Sequence, residues 1–182
     1  MRIVCMSLAV CLALAASSAE AADAGVVTIA DGSARVLRGS VWYKLVPGAP
    51  FQEGDVIDVG ERSTVQVELA VGGTLNLVGP GSLYGAALPA AGGKDPIEFG
   101  LERGWLKFAA TAPGAGARLR TPAAAVSVTE AIIVAHYDNR LFELFVETGS
   151  ARLSEVGRAT SIRRPWRRAA ATSRSRRNAA RR

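Results

Sequence analysis

Glycine and proline interrupt the middle of this chain so often that helices of ordinary length have little room. All 19 glycines and seven of the eight prolines lie between Ala22 and Gly157, roughly one chain breaker in every five residues. The segments between them are short and rich in β-branched residues. This spacing predicts an all-β single domain of short antiparallel strands, arranged as a twisted sandwich or a β-solenoid-like stack.

The clearest strand pattern is Thr-Val-Gln-Val-Glu-Leu-Ala-Val at residues 64–71. Because side chains alternate between the two faces of a strand, Leu69 and the valines at 65, 67 and 71 should share a core face. A glycine pair at 72–73 and a second apolar run follow, which predicts a two-residue hairpin turn. Similar hairpins are predicted around residues 38–40 and 102–104, and Gly79-Pro80-Gly81-Ser82 is predicted to form a turn.

Residues 123–148 form the one long stretch without glycine or proline, so a helix is conceivable there. β-branched residues at six positions, from Val126 to Val134, argue for strands instead. Asp138 and Asn139 lie midway, where a turn would fall. We therefore expect two or three strands in this stretch.

Residues 1–21 have the composition of a signal peptide. Arg2 precedes a fourteen-residue apolar stretch at 3–16, and Ala19-Glu20-Ala21 fits the small-x-small cleavage pattern. We expect cleavage after Ala21 or Ala22 and a periplasmic or secreted protein with no membrane span; an uncleaved anchor is the alternative. Cleavage would remove both cysteines, Cys5 and Cys11, and leave a mature chain without a thiol.

The remaining chain divides by charge into a body and a tail. Residues 22–157 hold 11 basic and 15 acidic residues, whereas residues 158–182 hold ten arginines and no acidic residue. A segment of that composition should be disordered in isolation. Three interpretations stay open: a solvated terminus, a gene-model artefact, or a segment that binds a polyanion. The polyanion would be lipopolysaccharide, anionic lipid or, the least expected, nucleic acid. The residues proposed for this role are Arg163, Arg164, Trp166, Arg167, Arg168, Arg176 and Arg177.

The body offers few residues for catalysis or for metal binding, so we expect no enzyme activity, no cofactor and no metal site. It has no cysteine and one histidine, His136, without a nucleophile motif beside it. Glu53, Asp55 and Asp58 could serve glycoside hydrolysis if two of them faced each other across a cleft. The simpler interpretation is that Asp55 accepts backbone N–H groups in a tight turn.

Six segments, in order, resemble one known domain family. They are Leu-Val-Pro-Gly at 45–48, Phe-Gln-Glu-Gly-Asp-Val-Ile at 51–57, the Gly60–Leu69 segment, Leu-Glu-Arg-Gly-Trp-Leu at 101–106, residues 118–128 around Thr121-Pro122, and residues 147–153. Together they resemble the FecR domain, a family named for the iron-dicitrate transport regulator. The resemblance covers about Val26 to Val156. It departs from the family at Thr129-Glu130-Ala131, where Arg-Gly-Thr is usual.

The resemblance implies an extracytoplasmic all-β domain that acts by binding, scaffolding or signalling in the cell envelope. Its partner would be an envelope protein or a polysaccharide, docked through edge strands or loops. The candidate contact residues are Trp42, Gly54, Asp55, Tyr84 and Trp105, although each aromatic residue could equally lie in the core.

Overall fold

The computed structural model describes residues 23–89, 95–110, 116–139, 141–155, 158–163 and 169–172. All regular elements in these ranges are strands, so the predicted all-β class is confirmed. The strands are β1 (Gly25–Asp31), β2 (Ala34–Arg38), β3 (Val41–Lys44), β4 (Pro50–Phe51), β5 (Val56–Val59), β6 (Thr64–Leu69), β7 (Thr74–Ala87), β8 (Ile97–Ala109), β9 (Gly116–Arg120), β10 (Ala124–Tyr137), β11 (Leu141–Glu155), β12 (Arg158–Arg163) and β13 (Ala169–Thr172).

The strands form one continuous mixed sheet that is folded into two halves. The front half-sheet runs in the order β3-β2-β5-β7-β8-β9-β10-β11-β12, and β8 and β9 are its one parallel pair among the described strands. The back half-sheet runs β4-β1-β6-β7-β8-β10-β11-β13. Strands β7, β8, β10 and β11 are 13 to 15 residues long and belong to both halves.

Each of these four strands changes from one half to the other at a bend in its middle. In β8 the bend brings Phe99 and Phe108 into edge-to-face contact, with ring centroids 5.0 Å apart. An extended strand would separate residues nine positions apart by about 30 Å. Gly104 (φ 100°), Glu130 (φ 50°) and Gly149 (φ 83°) make the bends of β8, β10 and β11. The halves therefore face each other and enclose the core.

Alternation along the strands places the apolar residues in that core. In β6, Val65, Val67 and Leu69 are at most 4% exposed, as predicted. The strand ends at Leu69, however, and Val71 lies in the turn that follows. The predicted two-residue hairpin is therefore a four-residue loop, closed by a hydrogen bond from the Leu69 N–H to the Gly73 carbonyl (2.9 Å).

Two further turn predictions need correction. Residues 102–104 do not close a hairpin, because β8 continues through them as a single bent strand. Residues 79–82 likewise lie within β7 rather than in a turn between strands. In both places the glycines permit a close crossing of backbones: a Cβ on Gly104 would lie 2.7 Å from the Gly81 Cα atom. Glycine here marks a bend and not a chain reversal.

The other two hairpin predictions are confirmed. Strands β2 and β3 pair across Gly39, which has a φ of 60°. Strands β10 and β11 pair across Asp138 and Asn139, and the Leu141 N–H donates to the Asp138 Oδ1 atom at 2.8 Å. In the tail, β12 and β13 run antiparallel to β11; its other residues and the predicted signal peptide lie outside the described ranges.

Candidate partner-binding surface

An apolar row crosses the outer face of the front half-sheet. The strand register places Trp42 beside Leu37, Leu37 beside Val56 and Val56 beside Tyr84, on β3, β2, β5 and β7 respectively. These side chains point away from the core because their sequence neighbours, such as Val36, Ile57 and Leu83, point into it. The four residues are called the apolar row below.

The two aromatic ends of this row are open to solvent. Trp42 is 45% exposed and Tyr84 is 39% exposed. Neither residue is in the core, which removes one of the two interpretations left open by the sequence. Large aromatic side chains on a sheet face are typical of contact sites because they bring much apolar area to a partner.

Cationic side chains border the row on one side. Asp58 accepts a hydrogen bond from Arg35 at 2.8 Å and another from Arg103 at 3.2 Å, so one carboxylate is shared by two guanidinium groups. The Arg35 guanidinium also lies over the Trp42 ring, 4.2 Å from its centroid. Lys44, opposite Arg35 in the register, makes no ion pair with a described residue.

A second cluster of the same kind lies beyond Tyr84. Glu98 accepts hydrogen bonds from Arg118 (2.6 Å) and Arg120 (2.9 Å), and Gly100 separates this cluster from Tyr84. Each cluster therefore carries one net positive charge, although the body as a whole is acidic by the sequence tally. The outer front face combines exposed aromatic rings with an excess of guanidinium groups, which suits an anionic partner.

Two predicted contact residues belong to the turn before β5 and not to this face. Asp55 is fully buried and accepts hydrogen bonds from Arg38 (2.7 Å) and from the Gln52 N–H (2.9 Å). The hydrogen bond with Asp55 raises the pKa of Arg38 above its ordinary value, while burial acts in the opposite direction. Asp55 therefore holds the turn together and touches no solvent. Gly54, exposed at a φ of 87°, provides the reversal.

The fifth predicted contact residue, Trp105, lies on the opposite side of the molecule. It is 47% exposed on the outer face of the back half-sheet and stacks on His136, with ring centroids 4.2 Å apart. The His136 Nδ1 atom lies 3.3 Å from the Glu143 carboxylate. The structure thus joins Trp42 and Tyr84 in one row and separates Trp105 from both.

The residues weighed for catalysis have separate structural roles. Glu53 accepts the Leu88 N–H at 3.1 Å, while Asp55 and Asp58 pair with different arginines. No group of three potential metal ligands converges within the described part of the chain. Of the proposed polyanion-binding residues, Arg163 ends β12, and Arg164, Trp166, Arg167, Arg168, Arg176 and Arg177 lie outside the described residues.

Sequence reasoning did not identify the cationic border of the row. Arg35 and Leu37 alternate with buried residues of β2, so their outward direction could have been read from the pattern. The pairing of β2 with β5, and of β5 with β7, joins distant parts of the chain. No local signal in the sequence specifies those pairings.

Comparison with known proteins finds a similarity of fold alone. Two crystal structures of a "putative anti-sigma factor" from Parabacteroides distasonis match with TM-scores of 0.51 and 0.50, at 20% and 19% sequence identity. Each match covers 59% of this chain and 50% of the other, so it spans half the length of those proteins. No family model and no curated protein matches the chain. The described residues include no helix with the length and apolar character needed to cross a membrane.

Proposed function

We propose that this chain is an exported, non-enzymatic domain of FecR-like type that works by binding a partner in the cell envelope, as a scaffolding or signalling module. The observation that carries the proposal is the apolar row with its cationic border on the front half-sheet. The fold similarity to an anti-sigma factor supports a regulatory context. The six FecR-like segments support the same assignment.

The proposed export fits the start of the folded domain. Ala24 is 1% exposed, and its N–H donates to the Phe51 carbonyl at 3.0 Å. Cleavage after Ala21 or Ala22 would leave this contact and the whole of β1 intact. An intact-mass measurement on protein from the periplasmic or secreted fraction should give a chain that begins at residue 22 or 23. A mass that retains residues 1–21 would contradict the proposed export.

Site-specific photo-crosslinking in cells tests the binding role. A photoreactive phenylalanine analogue at Tyr84 should crosslink to a defined envelope component. The same analogue at Val26 is the matched control, because Val26 is also 39% exposed but lies on the back half-sheet. Identical products from both positions, or none from position 84, would contradict the proposed front-face contact.

Polyanion binding by the tail is the second candidate function, favoured by its ten arginines in 25 residues. Truncation would uncover an edge of β11, because β12 and β13 pair with that strand. Replacement of Arg164, Arg167, Arg168, Arg176 and Arg177 by Gln in the full chain is a cleaner test. Heparin or lipopolysaccharide affinity at low salt should fall at least tenfold. Unchanged affinity would rule this function out.

A further inference from the structure

Among the described strands, β3 is an edge strand without a neighbour on its outer side. It pairs with β2 alone among the described strands and ends the strand order of the front half-sheet. Natural edge strands are commonly blocked by proline, a bulge, several charges or a covering loop. In Val41–Lys44 there is no proline, the register to β2 is regular, and one residue is charged.

The backbone of β3 presents hydrogen-bonding groups at this edge that no described strand uses. The Leu45 N–H donates to the Ala34 carbonyl at 3.0 Å, so Leu45 faces β2. Alternation in an antiparallel ladder then turns the N–H and C=O groups of Val41 and Tyr43 toward β2 as well. Those of Trp42 and Lys44 consequently point outward, where an added strand would meet them.

The side chains of β3 are exposed on both faces of the sheet. Val41 is 49% exposed, Trp42 is 45% exposed and Tyr43 is 52% exposed. Trp42 and Lys44 lie on the outer front face, whereas Val41 and Tyr43 lie on the other face. An added strand would cover apolar surface on both sides, with cross-strand contacts of the aromatic and β-branched kind.

Charge decides which strand fits this edge. On the outer front face, Arg35 and Arg103 share the Asp58 carboxylate, and Lys44, opposite Arg35, pairs with no described acidic residue. Pairing with β3 of a second copy would bring two such cationic groups together on one face, which is unfavourable. A strand with acidic residues on the outer front face would complement the cationic side chains there. Its β-branched residues, on the other face, would cover the apolar side chains of β3.

We propose that β3 accepts an extended acidic peptide segment of the partner by strand addition. The segment alternates carboxylate side chains, which face Lys44 and Arg35, with apolar side chains, which cover Val41 and Tyr43. The Trp42 and Lys44 backbone groups hold it in register. This inference rests on the proposed binding function and specifies the chemistry of the bound segment.

Fluorescent peptides of defined sequence test the proposal on the full exported chain. Fluorescence anisotropy compares a blocked Glu-Val-Glu-Val-Glu-Val peptide with its Lys-Val counterpart. The acidic peptide should bind at least tenfold more tightly. Equal binding of the two peptides, or a Kd for the acidic peptide weaker than about 1 mM, would overturn the proposal.

Variants of Trp42 separate the contributions of its backbone N–H and of its side chain to peptide affinity. Trp42→Pro removes an outward N–H that β2 does not use, and Trp42→Ala removes the same ring but keeps the N–H. The proline variant should lose at least tenfold more affinity than the alanine variant. Lys44→Glu keeps the backbone intact and should reverse the preference between the two peptides. Strand addition is wrong if Trp42→Pro and Trp42→Ala lose the same affinity, or if Lys44→Glu leaves the preference for the acidic peptide unchanged.

Sedimentation and crosslinking distinguish the remaining outcomes. A stable dimer that Trp42→Pro dissociates would show that a second copy occupies the edge, which overturns the acidic-segment proposal. Crosslinks from Tyr84 test the binding function at a position three strands from β3 in the sheet order. If those crosslinks persist while the peptide tests fail, the proposed function stands and strand addition alone is refuted.

Discussion

The buried pair of Arg38 with Asp55 should stabilise the fold far more than its exposed counterpart on the same strand. Arg38 and Arg35 both lie on β2, and each donates two hydrogen bonds to an aspartate. The side chain of Asp55 is 1% exposed, whereas that of Asp58 is 18% exposed. The matched substitutions are Arg38→Met and Arg35→Met, which remove the charge but keep most of the aliphatic stem.

The two substitutions have different expected costs. Arg38→Met leaves a buried carboxylate without its cation, which costs about 3–5 kcal/mol at a fully buried site. Because the Arg38 side chain is 35% exposed, we reduce the expected loss in free energy of unfolding to about 2–4 kcal/mol. Arg35→Met should cost about 1 kcal/mol or less, since that pair is exposed and Asp58 keeps Arg103.

Urea unfolding followed by far-UV circular dichroism measures both costs. Thermal unfolding should show the same order, with Tm falling by roughly 2–4 °C for each kcal/mol in a domain of this size. The pKa of Arg38 is raised, so its contribution would be lost only as the pH rises through that value, above the range in which the protein is handled. Equal costs for the two variants would refute the reasoning from burial.

Four further outcomes follow from the bends, the turns and the apolar row. Glu130→Gly should stabilise the protein by up to about 1 kcal/mol in urea unfolding, because Glu130 holds a φ of 50° that glycine adopts without strain; a loss of stability would contradict this. Gly104→Ala should cost more than about 2 kcal/mol, since its Cβ would lie 2.7 Å from the Gly81 Cα atom. Gly39→Ala, at a φ of 60° but in open space, should cost about 1–2 kcal/mol, and a cost equal to that of Gly104→Ala would show that crowding is unimportant. Trp42→Ala should change stability by less than about 0.5 kcal/mol, because half-exposed surface residues contribute little; a larger loss would indicate a structural role.

Local patterns predicted the elements better than they predicted the connections between them. The alternation in residues 64–69 and the turn at Asp138 and Asn139 are signals within a few residues, and both are confirmed. At residues 102–104 the same kind of signal misled us, because a glycine at positive φ serves a bend as well as a hairpin. Whether such a glycine makes a bend or a hairpin depends on the backbone that packs against it. For Gly104 that backbone, at Gly81, is distant in sequence.

At the bends of β8 and β10 the alternation of buried and exposed residues shifts by one position, and this shift could have been used to predict the bends. In β8 the buried positions run 97, 99 and 101 and then 104, 106 and 108, so the alternation slips by one residue. In β10 it slips in the same way after Val128. A hairpin needs turn residues between two strands, whereas a slip with no loss of strand character indicates an inserted residue, as in a β-bulge.

Glu130 makes the bend of β10 in a conformation that favours glycine. Its φ of 50° lies in the left-handed region, which glycine adopts without strain. Gly149, on the neighbouring strand β11, packs against the Glu130 carbonyl. Position 149 therefore has no space for a side chain. The bend is therefore made by a non-glycine residue, at a conformational cost.

Because β7, β8, β10 and β11 each run through both half-sheets, neither half can come apart without unravelling strands of the other. Because these strands are shared, neither half can open separately at a low free-energy cost. The amides of both halves should therefore lose protection from hydrogen exchange in a single step. A pull applied at the β3 edge would pass through the hydrogen-bond ladders of β2 and β5 to β7, and from there along continuous backbone to the far side of the molecule.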